Sequence, residues 1–328
     1  MSIKYFDMFA GIGGFRSGLE AIGGFECVGY CEIDKYAKQA YEAIYDTGGE
    51  LYFDDERKIV PEQLPDFDLL GGGFPCQSFS IAGARKGFDD TRGTLFFEIA
   101  RIASVKKPKY IFLENVPGML NHDKGRTFET ILRTLDGLGY NVCWQVLNIK
   151  NFGLLIKAKT KDGYQVAYPG DSIDTAFSGQ NSRRGRVGNQ VAHTLTTSAT
   201  QAYYFIDLNP DPKLTEIARC ITARHDSGIS NRKAEHSGVF VENSDVLDNN
   251  EKFAVAFVDP NGEVHIGRIR KLTPRECWRL QGFTNDQFNK AKATGLSDSR
   301  LYKMSGSAVT VNVISEIGKI IKKVNDKN

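Results

Sequence analysis

The residues best placed to do chemistry start with a cysteine in the stretch GGGFPCQSFS, residues 71–80. Cys76 follows three glycines and a short apolar run, where a buried strand is expected to end. At the carboxyl end of a strand in an open α/β sheet, such a thiol borders the crevice that binds ligands. Cysteine is more often a small buried apolar residue than a nucleophile. Position alone therefore favours a structural role, and a catalytic role needs a second feature.

That second feature is an acid at the end of the next apolar run. In FLENV, residues 112–116, Glu114 and Asn115 end a strand-like segment and are expected beside the same crevice. Apolar surroundings would raise the pKa of the Glu114 carboxyl and favour its protonated form. A nucleophile and a proton donor are therefore predicted to face one pocket.

A glycine-rich turn and two further acids indicate a place for a nucleotide-like ligand. FAGIGG, residues 9–14, follows the first apolar run and opens a helix whose free N–H groups suit a ligand. Glu32 ends the second run, 18 positions beyond Gly14, where an acid commonly accepts hydrogen bonds from a ribose. Asp55 lies at another strand edge. The alternatives are a purely structural turn, since the pattern is not G-x-G-x-x-G, and solvated carboxylates. Together the three features fit an adenosine-bearing cofactor.

The elements that must position these groups alternate between strands and helices through the first half of the chain. Five strands are predicted, in IKYFDMF, FECVGYCEID, FDLLGGGFP, PKYIFLENV and YNVCWQVLN. Helices are predicted between them in FRSGLEAI, TLFFEIARIASV and TFETILRTLDGL. Such alternation is typical of a doubly wound, mostly parallel α/β sheet with helices on both faces.

From about residue 154 the pattern changes to short, polar, turn-rich segments. FAVAFVDPNGEVHIGRI predicts a hairpin around DPNG. In TPRECWRLQGF, Thr273, Pro274 and Glu276 predict a capped helix start with a capping box. The last predicted helix has an amphipathic face of apolar residues at 313, 317, 320, 321 and 324, and it is expected to pack back on the first domain.

Composition restricts the class of protein. The chain has 328 residues, of which 41% are hydrophobic and 25% charged, as in one large or two ordinary soluble domains. No apolar run approaches the roughly 18 residues that a membrane helix needs, and the start does not resemble a secretory signal. The six cysteines are scattered without a paired Cys or His motif, which favours reduced thiols in a cytoplasmic protein without a metal site. A formal net charge of +2 means that any DNA-binding residues must be locally clustered.

Longer stretches give a more specific indication. FDMFAGIGGFRSGLE, GGGFPCQSFSIAGARKGFDDTRGTLFFE, FLENVPGML, RIRKLTPRECWRLQGF and LYKMSGSAVTVNVI follow one another in this order. The set resembles the bacterial and phage DNA (cytosine-5) methyltransferases of restriction–modification type, over residues 3–153 and 267–324. The resemblance implies a Rossmann-like, S-adenosylmethionine-dependent catalytic domain at 1–153 plus 267–328. It also implies a smaller, irregular and β-rich target-recognition domain at 154–266.

The resemblance implies a reaction. Cys76 would attack carbon 6 of a cytosine, so that carbon 5 takes the methyl group of S-adenosylmethionine and S-adenosylhomocysteine is released. Glu114 would engage N3 and the exocyclic amine of the base. Pro75 and Asn115 would shape the pocket. The base would be flipped out of the duplex, and residues 78–94 would form the mobile loop that closes over the DNA, an ordinary basic surface loop being the alternative.

The same resemblance assigns binding residues. The cofactor site would be lined by Phe9, Gly11, Ile12, Gly14, Glu32, Ile33, Asp55, Glu56, Leu95 and Ser307. The residues expected to contact DNA lie in polar, basic segments with turn-like sequence: Ser80, Arg85, Lys86, Arg92, Arg183, Arg224, Asn231 and Arg232.

The sequence departs from the family pattern at two places. GSAV stands where the family usually has GNSV or GNAV, so Ser307 is expected to make a weaker or altered cofactor contact. After NFG the family continues Pro-Gln-x-Arg-x-Arg, with an arginine that reaches the flipped base, whereas this chain reads NFGLLIKAKTKDGYQ. Arg184 or Arg186 in GQNSRRGRVG would replace that arginine if the segment folds back. The alternative is a loop that contacts only the DNA backbone.

The expected partner is double-stranded DNA, bound by a monomer, with any cognate restriction endonuclease acting separately. The sequence leaves three rival hypotheses open. The first is a catalytically weakened methyltransferase homologue that acts as a DNA-binding protein, motivated by the missing arginine motif. The second is methylation of tRNA, although a long recognition region suits duplex reading better. The third is a nicotinamide oxidoreductase, which only the glycine turn permits.

Overall fold

The computed structural model describes residues 2–75, 95–147 and 272–327, and between 148 and 271 only the backbone of nine strands. The chain forms two compact units. The first comprises Met1–Leu147, Phe283–Ser297 and Ala308–Asn328, and the second comprises Asn148–Gly282 and Asp298–Ser307. The sequence predicts a catalytic domain at 1–153 with 267–328 and a target-recognition domain at 154–266. These limits stay a prediction.

The first unit is built on a parallel sheet. Its five strands are ordered β3-β2-β1-β4-β5, and every neighbouring pair is parallel. Their bounds are β1 Ile3–Met8, β2 Phe25–Cys31, β3 Leu51–Phe53, β4 Leu69–Gly73 and β5 Tyr110–Glu114. The predicted mostly parallel α/β sheet is thereby confirmed.

Helices occur in both units. The first unit contains α1 Gly14–Ile22, α2 Lys35–Ile44, α3 Leu95–Lys106, α4 Arg126–Gly137, α6 Asn285–Ala293 and α8 Val311–Asn325, and the second contains α5 Pro274–Leu280 and α7 Asp298–Ser307. Helix α8 packs along α1, more than 290 residues away in sequence. A β-carbon at Gly18 would lie 2.6 Å from the β-carbon of Ile314, so the glycine permits this close approach.

Strand alternation gives the sheet two apolar faces. Because successive side chains point to opposite faces, Tyr5 joins a cluster with Phe15, Leu19 and Ile314 from α1 and α8. Phe6 faces the other way and joins a larger cluster that includes side chains of α3 and α4. The strands are therefore covered on both sides, as their continuous apolar sequences require.

The second unit is antiparallel where the structure describes it. One sheet has the order β11-β10-β12-β14-β13 and two hairpins pair β6 with β7 and β8 with β9. The bounds are β6 Leu154–Lys157, β7 Tyr164–Ala167, β8 Ser172–Asp174, β9 Arg186–Gly188, β10 Phe205–Asp207, β11 Leu214–Thr215, β12 Ser237–Glu242, β13 Ala254–Val258 and β14 Val264–Lys271. The predicted hairpin around DPNG is the β13–β14 pair, and the capping box of Thr273 and Glu276 is present.

Two elements differ from the sequence expectations. Residues 141–147, expected as a fifth strand of the parallel sheet, form no strand, and Val142, Trp144 and Val146 are exposed. Alternating apolar residues favour a strand but do not supply a neighbour to pair with. In α8 the expected face is only partly buried. Val313 is buried and Ile321 packs against the core, whereas residues 320 and 324 are exposed. Ile314, Ser315 and Gly318, which were not expected, lie in the interface with α1.

A buried carboxyl lies on β1 beneath helices α1 and α2. Asp7 is fully buried, and one oxygen accepts a hydrogen bond from the Tyr41 hydroxyl at 3.2 Å. Its other oxygen has no partner among the described residues. Burial raises the pKa of Asp7 to about 7, although Arg16 and the Tyr41 hydrogen bond oppose the shift. Asp7 is thus the group most able to couple folding of the first unit to pH.

Replacing Asp7 with asparagine is expected to flatten the pH dependence of stability. The folded-state pKa of Asp7 exceeds the ordinary value of 3.8. Its protonation therefore stabilises the fold fully below pH 3.8, and this stabilisation is lost as pH rises through about 7. Between pH 5 and pH 8 the wild type should therefore lose roughly 2 kcal/mol more unfolding free energy than Asp7→Asn. Urea denaturation at the two pH values measures this, and parallel pH profiles for the two proteins would contradict it.

Candidate active site

The candidate site lies at the carboxyl edge of the parallel sheet in the first unit. The strand order changes direction there, because β2 and β3 extend to one side of β1 while β4 and β5 extend to the other. Open α/β sheets bind ligands in the crevice at such a switch point. The residues that follow β1, β2, β4 and β5 are therefore the ones to consider.

The turn after β1 has an unusual backbone. Phe9, Gly11 and Gly13 all have positive φ, at 54°, 56° and 80°, the region that side chains with a β-carbon rarely occupy. The Ala10 amide donates to the Cys31 carbonyl at 3.0 Å, which fastens the turn to the end of β2. A β-carbon at Gly13 would collide with the Tyr45 ring. The glycines therefore serve both the conformation of the turn and its packing.

Glu32 is bound to this turn. Its carboxyl accepts a hydrogen bond from the Gly11 amide at 2.7 Å and another from the Asp34 amide at 2.7 Å, one on each oxygen. Burial raises the pKa of Glu32, and the two amide donors oppose that rise. The next side chain, Ile33, is 65% exposed. A fixed carboxyl, an open backbone turn and an exposed apolar side chain thus lie together.

The acids after β3 have different environments. Asp55 accepts hydrogen bonds from the backbone amide of Arg57 at 3.0 Å and from its guanidinium at 2.8 Å, which lowers the pKa of Asp55. Glu56 is buried, and burial raises its pKa. Sequence reasoning missed Arg57, although a cation two residues after an acid at a strand end was a usable signal. Leu95 is half-buried at the start of α3.

The ends of β4 and β5 are held together. Gly73 pairs with Glu114 in the parallel register, and the Asn115 amide donates to the Phe74 carbonyl at 2.7 Å. Pro75 follows at once and is exposed. A β-carbon at Gly73 would lie 3.0 Å from a Glu114 carboxyl oxygen, so the glycine leaves room for this acid. Asn115 therefore connects the strand that carries Glu114 to the strand that leads into Cys76.

The Glu114 carboxyl is half-buried, and burial raises its pKa. Among the described residues no charged group contributes to this shift. Its protonated form is accordingly favoured beyond that of an ordinary glutamate. In its protonated form such an acid can donate a hydrogen bond to a ring nitrogen.

Comparison with known proteins decides the family. The model of the C-5 cytosine-specific DNA methylase family matches residues 3–155 and 172–323. The chain belongs to this family.

Relatives agree over almost the full length. The chain is 34% identical to the type II methyltransferase M.HhaI of Haemophilus parahaemolyticus, covering 96% of this chain and 93% of that one. It is 32% identical to the orphan methyltransferase M.SPRI of Bacillus phage SPR, covering 97% of each. The fold is similar to that of the Dnmt2 methyltransferase of S. pombe, with a TM-score of 0.60 at 15% identity over 99% of this chain and all of that one. The protein is a DNA (cytosine-5) methyltransferase.

The structure of the methyltransferase describes some of the residues expected in the site and omits others. Residues 9–14, Glu32, Ile33, Asp55, Glu56, Pro75, Leu95, Glu114 and Asn115 all belong to the first unit. Ser307 ends α7 in the second unit, and Arg186 begins β9, of which only the backbone is described. Outside the described residues lie Cys76, Ser80, Arg85, Lys86, Arg92, Arg183, Arg184, Arg224, Asn231 and Arg232. Their roles stay predictions.

The described residues of the methyltransferase show neither a metal cluster nor a membrane span. They contain no cluster of three or more His, Cys, Asp or Glu side chains that could hold a metal ion. Among the same residues, no helix combines the length and the apolar character that crossing a membrane requires.

Proposed function

We propose that the methyltransferase transfers a methyl group from S-adenosylmethionine to carbon 5 of a cytosine flipped out of double-stranded DNA. The observation that carries this proposal is the β4–β5 register, which pairs Gly73 with Glu114. Cys76 is three residues beyond Gly73, a span of at most about 11 Å. The cofactor turn follows β1, the neighbour of β4. The acid and the glycine turn therefore lie at one edge of the sheet, which supports the proposal that the Cys76 thiol acts there.

The residues of the chain divide the work at the base. The Cys76 thiolate forms a bond to carbon 6, and the electron pair of the 5,6 double bond moves to carbon 5. Glu114, whose protonated form is favoured because burial raises its pKa, would donate to N3 and limit the negative charge on the ring. After methylation, carbon 5 loses its proton, the sulfur–carbon bond breaks and the thiolate is released. Bound S-adenosylmethionine supplies the electrophilic methyl group, and S-adenosylhomocysteine is the product.

The residues around the glycine turn fit that cofactor. Among the described residues, a β-carbon at Gly11 would have no atom nearer than 4.0 Å, which leaves space for a ligand beside that part of the turn. Glu32, fixed by two amide donors, retains lone pairs that can accept from ribose hydroxyls. The exposed Ile33 offers an apolar surface to adenine, and Asp55 can accept from its amino group.

Glutamine at position 32 is expected to weaken cofactor binding. Glu32→Gln keeps one acceptor oxygen. It cannot accept hydrogen bonds from the amides of Gly11 and Asp34 and from two ribose hydroxyls at the same time. Loss of charge-assisted hydrogen bonds of this kind predicts a Kd for S-adenosylhomocysteine about 10- to 100-fold higher by calorimetry. Glu26→Gln, an exposed change on β2, the strand that Glu32 follows, is the matched control and should bind normally. Equal Kd values for both variants would contradict the role of Glu32.

The remaining parts of the proposal concern DNA and partners. We propose that residues 154–266 read a short DNA sequence and that residues 78–94 close over the flipped base. The relatives include type II methyltransferases and an orphan methyltransferase, so a cognate endonuclease, where present, would act as a separate protein. A monomer in the cytoplasm is sufficient for this activity.

A second candidate function rests on one sequence observation. The Pro-Gln-x-Arg-x-Arg motif is absent after Gly153, which favours a weakened homologue that binds DNA without efficient turnover. Bisulfite sequencing of DNA from cells that express the chain separates the two. Methylation confined to one short motif supports the enzyme, and unmodified DNA, despite soluble protein that binds duplex DNA, supports the binding protein.

A further inference from the structure

We propose that Tyr45, Ser17 and Gln287 are positioning residues for the cofactor turn, because they connect helix α6 to the turn by a chain of directed hydrogen bonds. This inference rests on the proposed role of the turn in binding S-adenosylmethionine. None of the three residues was among those expected from the sequence.

The Tyr45 hydroxyl lies against the backbone of the turn. It donates to the Gly13 carbonyl at 2.8 Å and lies 3.2 Å from the Ile12 carbonyl. The ring covers Gly13 so closely that a β-carbon there would collide with it. Tyr45 is buried, and burial raises the pKa of its phenol, so the hydroxyl keeps its proton. The residue therefore restrains the turn through both shape and hydrogen bonding.

Ser17 connects Tyr45 to α6. The Ser17 hydroxyl oxygen is 2.5 Å from the Tyr45 hydroxyl and accepts from the Gln287 amide at 2.8 Å. Because Tyr45 has one proton and the Gly13 carbonyl can only accept, Ser17 donates to Tyr45. The direction of every bond is then fixed: Gln287 to Ser17, Ser17 to Tyr45, and Tyr45 to Gly13.

A capping box fixes the orientation of Gln287. Its amide oxygen accepts from the backbone amide of Thr284 at 2.9 Å, as part of the cap of α6. The side-chain nitrogen is therefore the atom left to face Ser17. The same glutamine thus starts the helix and supports the turn, 270 residues earlier in the chain.

The other side of Tyr45 is also occupied. The Arg16 guanidinium lies 4.7 Å from the centre of the Tyr45 ring, and it forms ion pairs with Glu20 and Glu50 at 2.7 Å each. The ring is therefore held in place independently of its hydroxyl. This makes Tyr45→Phe a clean variant, since the ring and its contacts can stay while the hydrogen bonds are removed.

The turn needs such support because its backbone is strained. The strain lies at Phe9, which carries a side chain at positive φ, whereas Gly11 and Gly13 adopt positive φ without that cost. Without the Tyr45 hydroxyl the turn can relax toward other conformations, and the Gly11 amide would then leave Glu32. Since these groups do not touch the reacting atoms, their loss should act on cofactor binding and not on the chemical step.

Tyr45→Phe is expected to raise the KM for S-adenosylmethionine and the Kd for S-adenosylhomocysteine about tenfold, with kcat within about twofold of the wild type. Gln287→Glu keeps an acceptor for Thr284 but cannot donate to Ser17, and should shift both constants in the same direction. The double variant should bind no more weakly than the weaker single variant, because both changes break one chain of bonds.

Tyr140→Phe is the matched control. It also removes a hydroxyl that donates to a backbone carbonyl, that of Pro108 at 2.8 Å, but away from the turn. It should lower thermal stability and leave cofactor binding unchanged. An unchanged Kd in Tyr45→Phe, or a fall in kcat that matches the rise in KM, would overturn the positioning role alone. A wild-type protein that does not bind S-adenosylhomocysteine would overturn the proposed cofactor and this inference with it.

Discussion

Replacement of Cys76 by serine is expected to reduce methyl transfer by about four orders of magnitude or more. A serine hydroxyl is not ionised at neutral pH, and carbon 6 of cytosine is attacked by the thiolate and not by a neutral oxygen. The variant should still bind S-adenosylhomocysteine as the wild type does, because the glycine turn and Glu32 belong to other strand ends. Tritiated methyl incorporation into the DNA motif found by bisulfite sequencing measures the loss.

The covalent step can be tested apart from turnover. In duplex DNA that carries 5-fluorocytosine in the target motif, fluorine replaces the proton that must leave carbon 5. The wild type should therefore remain covalently bound in denaturing electrophoresis, and Cys76→Ser should not. Cys143→Ser is the control, since that thiol is exposed and lies outside the strand ends that form the site. Adduct formation by Cys76→Ser, or its absence in the wild type, would refute the covalent role of Cys76.

Much of the first unit follows from local sequence. Strands β1, β4 and β5 are apolar runs that end in glycines or in residues that could do chemistry. Their parallel pairing brings their carboxyl ends to one edge of the sheet. Glu114, Glu32 and the glycine turn were predictable for that reason. Each of them follows a strand directly, so its place in the fold depends only on the sheet.

The parts that sequence did not predict depend on contacts between distant segments. Gln287 supports the turn through Ser17, and no local pattern connects residues 270 positions apart. The burial of Ile314 in α8, outside the expected face, has the same cause. Its periodic apolar residues allow several faces, and the one buried is chosen by Gly18, the residue that lets α1 approach Ile314. Helical propensity does not distinguish between these possible buried faces of α8, and tertiary packing selects one of them.

The carboxyl of Glu114 shows how the two levels combine. Its position comes from a local pattern, an apolar strand that ends in Glu-Asn. Its acidity comes from the fold, because β4 and β5 bury the carboxyl beside Gly73 and no charged group among the described residues compensates. Burial therefore disfavours the carboxylate and favours the protonated form that the proposed role as proton donor requires.

Replacement of Glu114 by glutamine is expected to lower kcat about 100-fold or more and to remove one limb of the pH profile. Glutamine can still donate a hydrogen bond to the base, but it cannot place a proton on N3 as charge develops there. Because the pKa of Glu114 is raised, its protonated form persists to higher pH than that of an ordinary glutamate and is lost as pH rises through that pKa. Wild-type kcat should therefore fall on the alkaline side, whereas the residual kcat of Glu114→Gln should not.

The profile distinguishes this role from a purely structural one. The acidic limb, on which Cys76 gains its thiolate, should be present in both proteins. Glu129→Gln, an exposed change on α4 that removes only a surface ion pair with Arg133, should reproduce the wild-type rate and both limbs. If the alkaline limb persisted unchanged in Glu114→Gln, another group would be the proton donor, and burial of this carboxyl would serve packing alone.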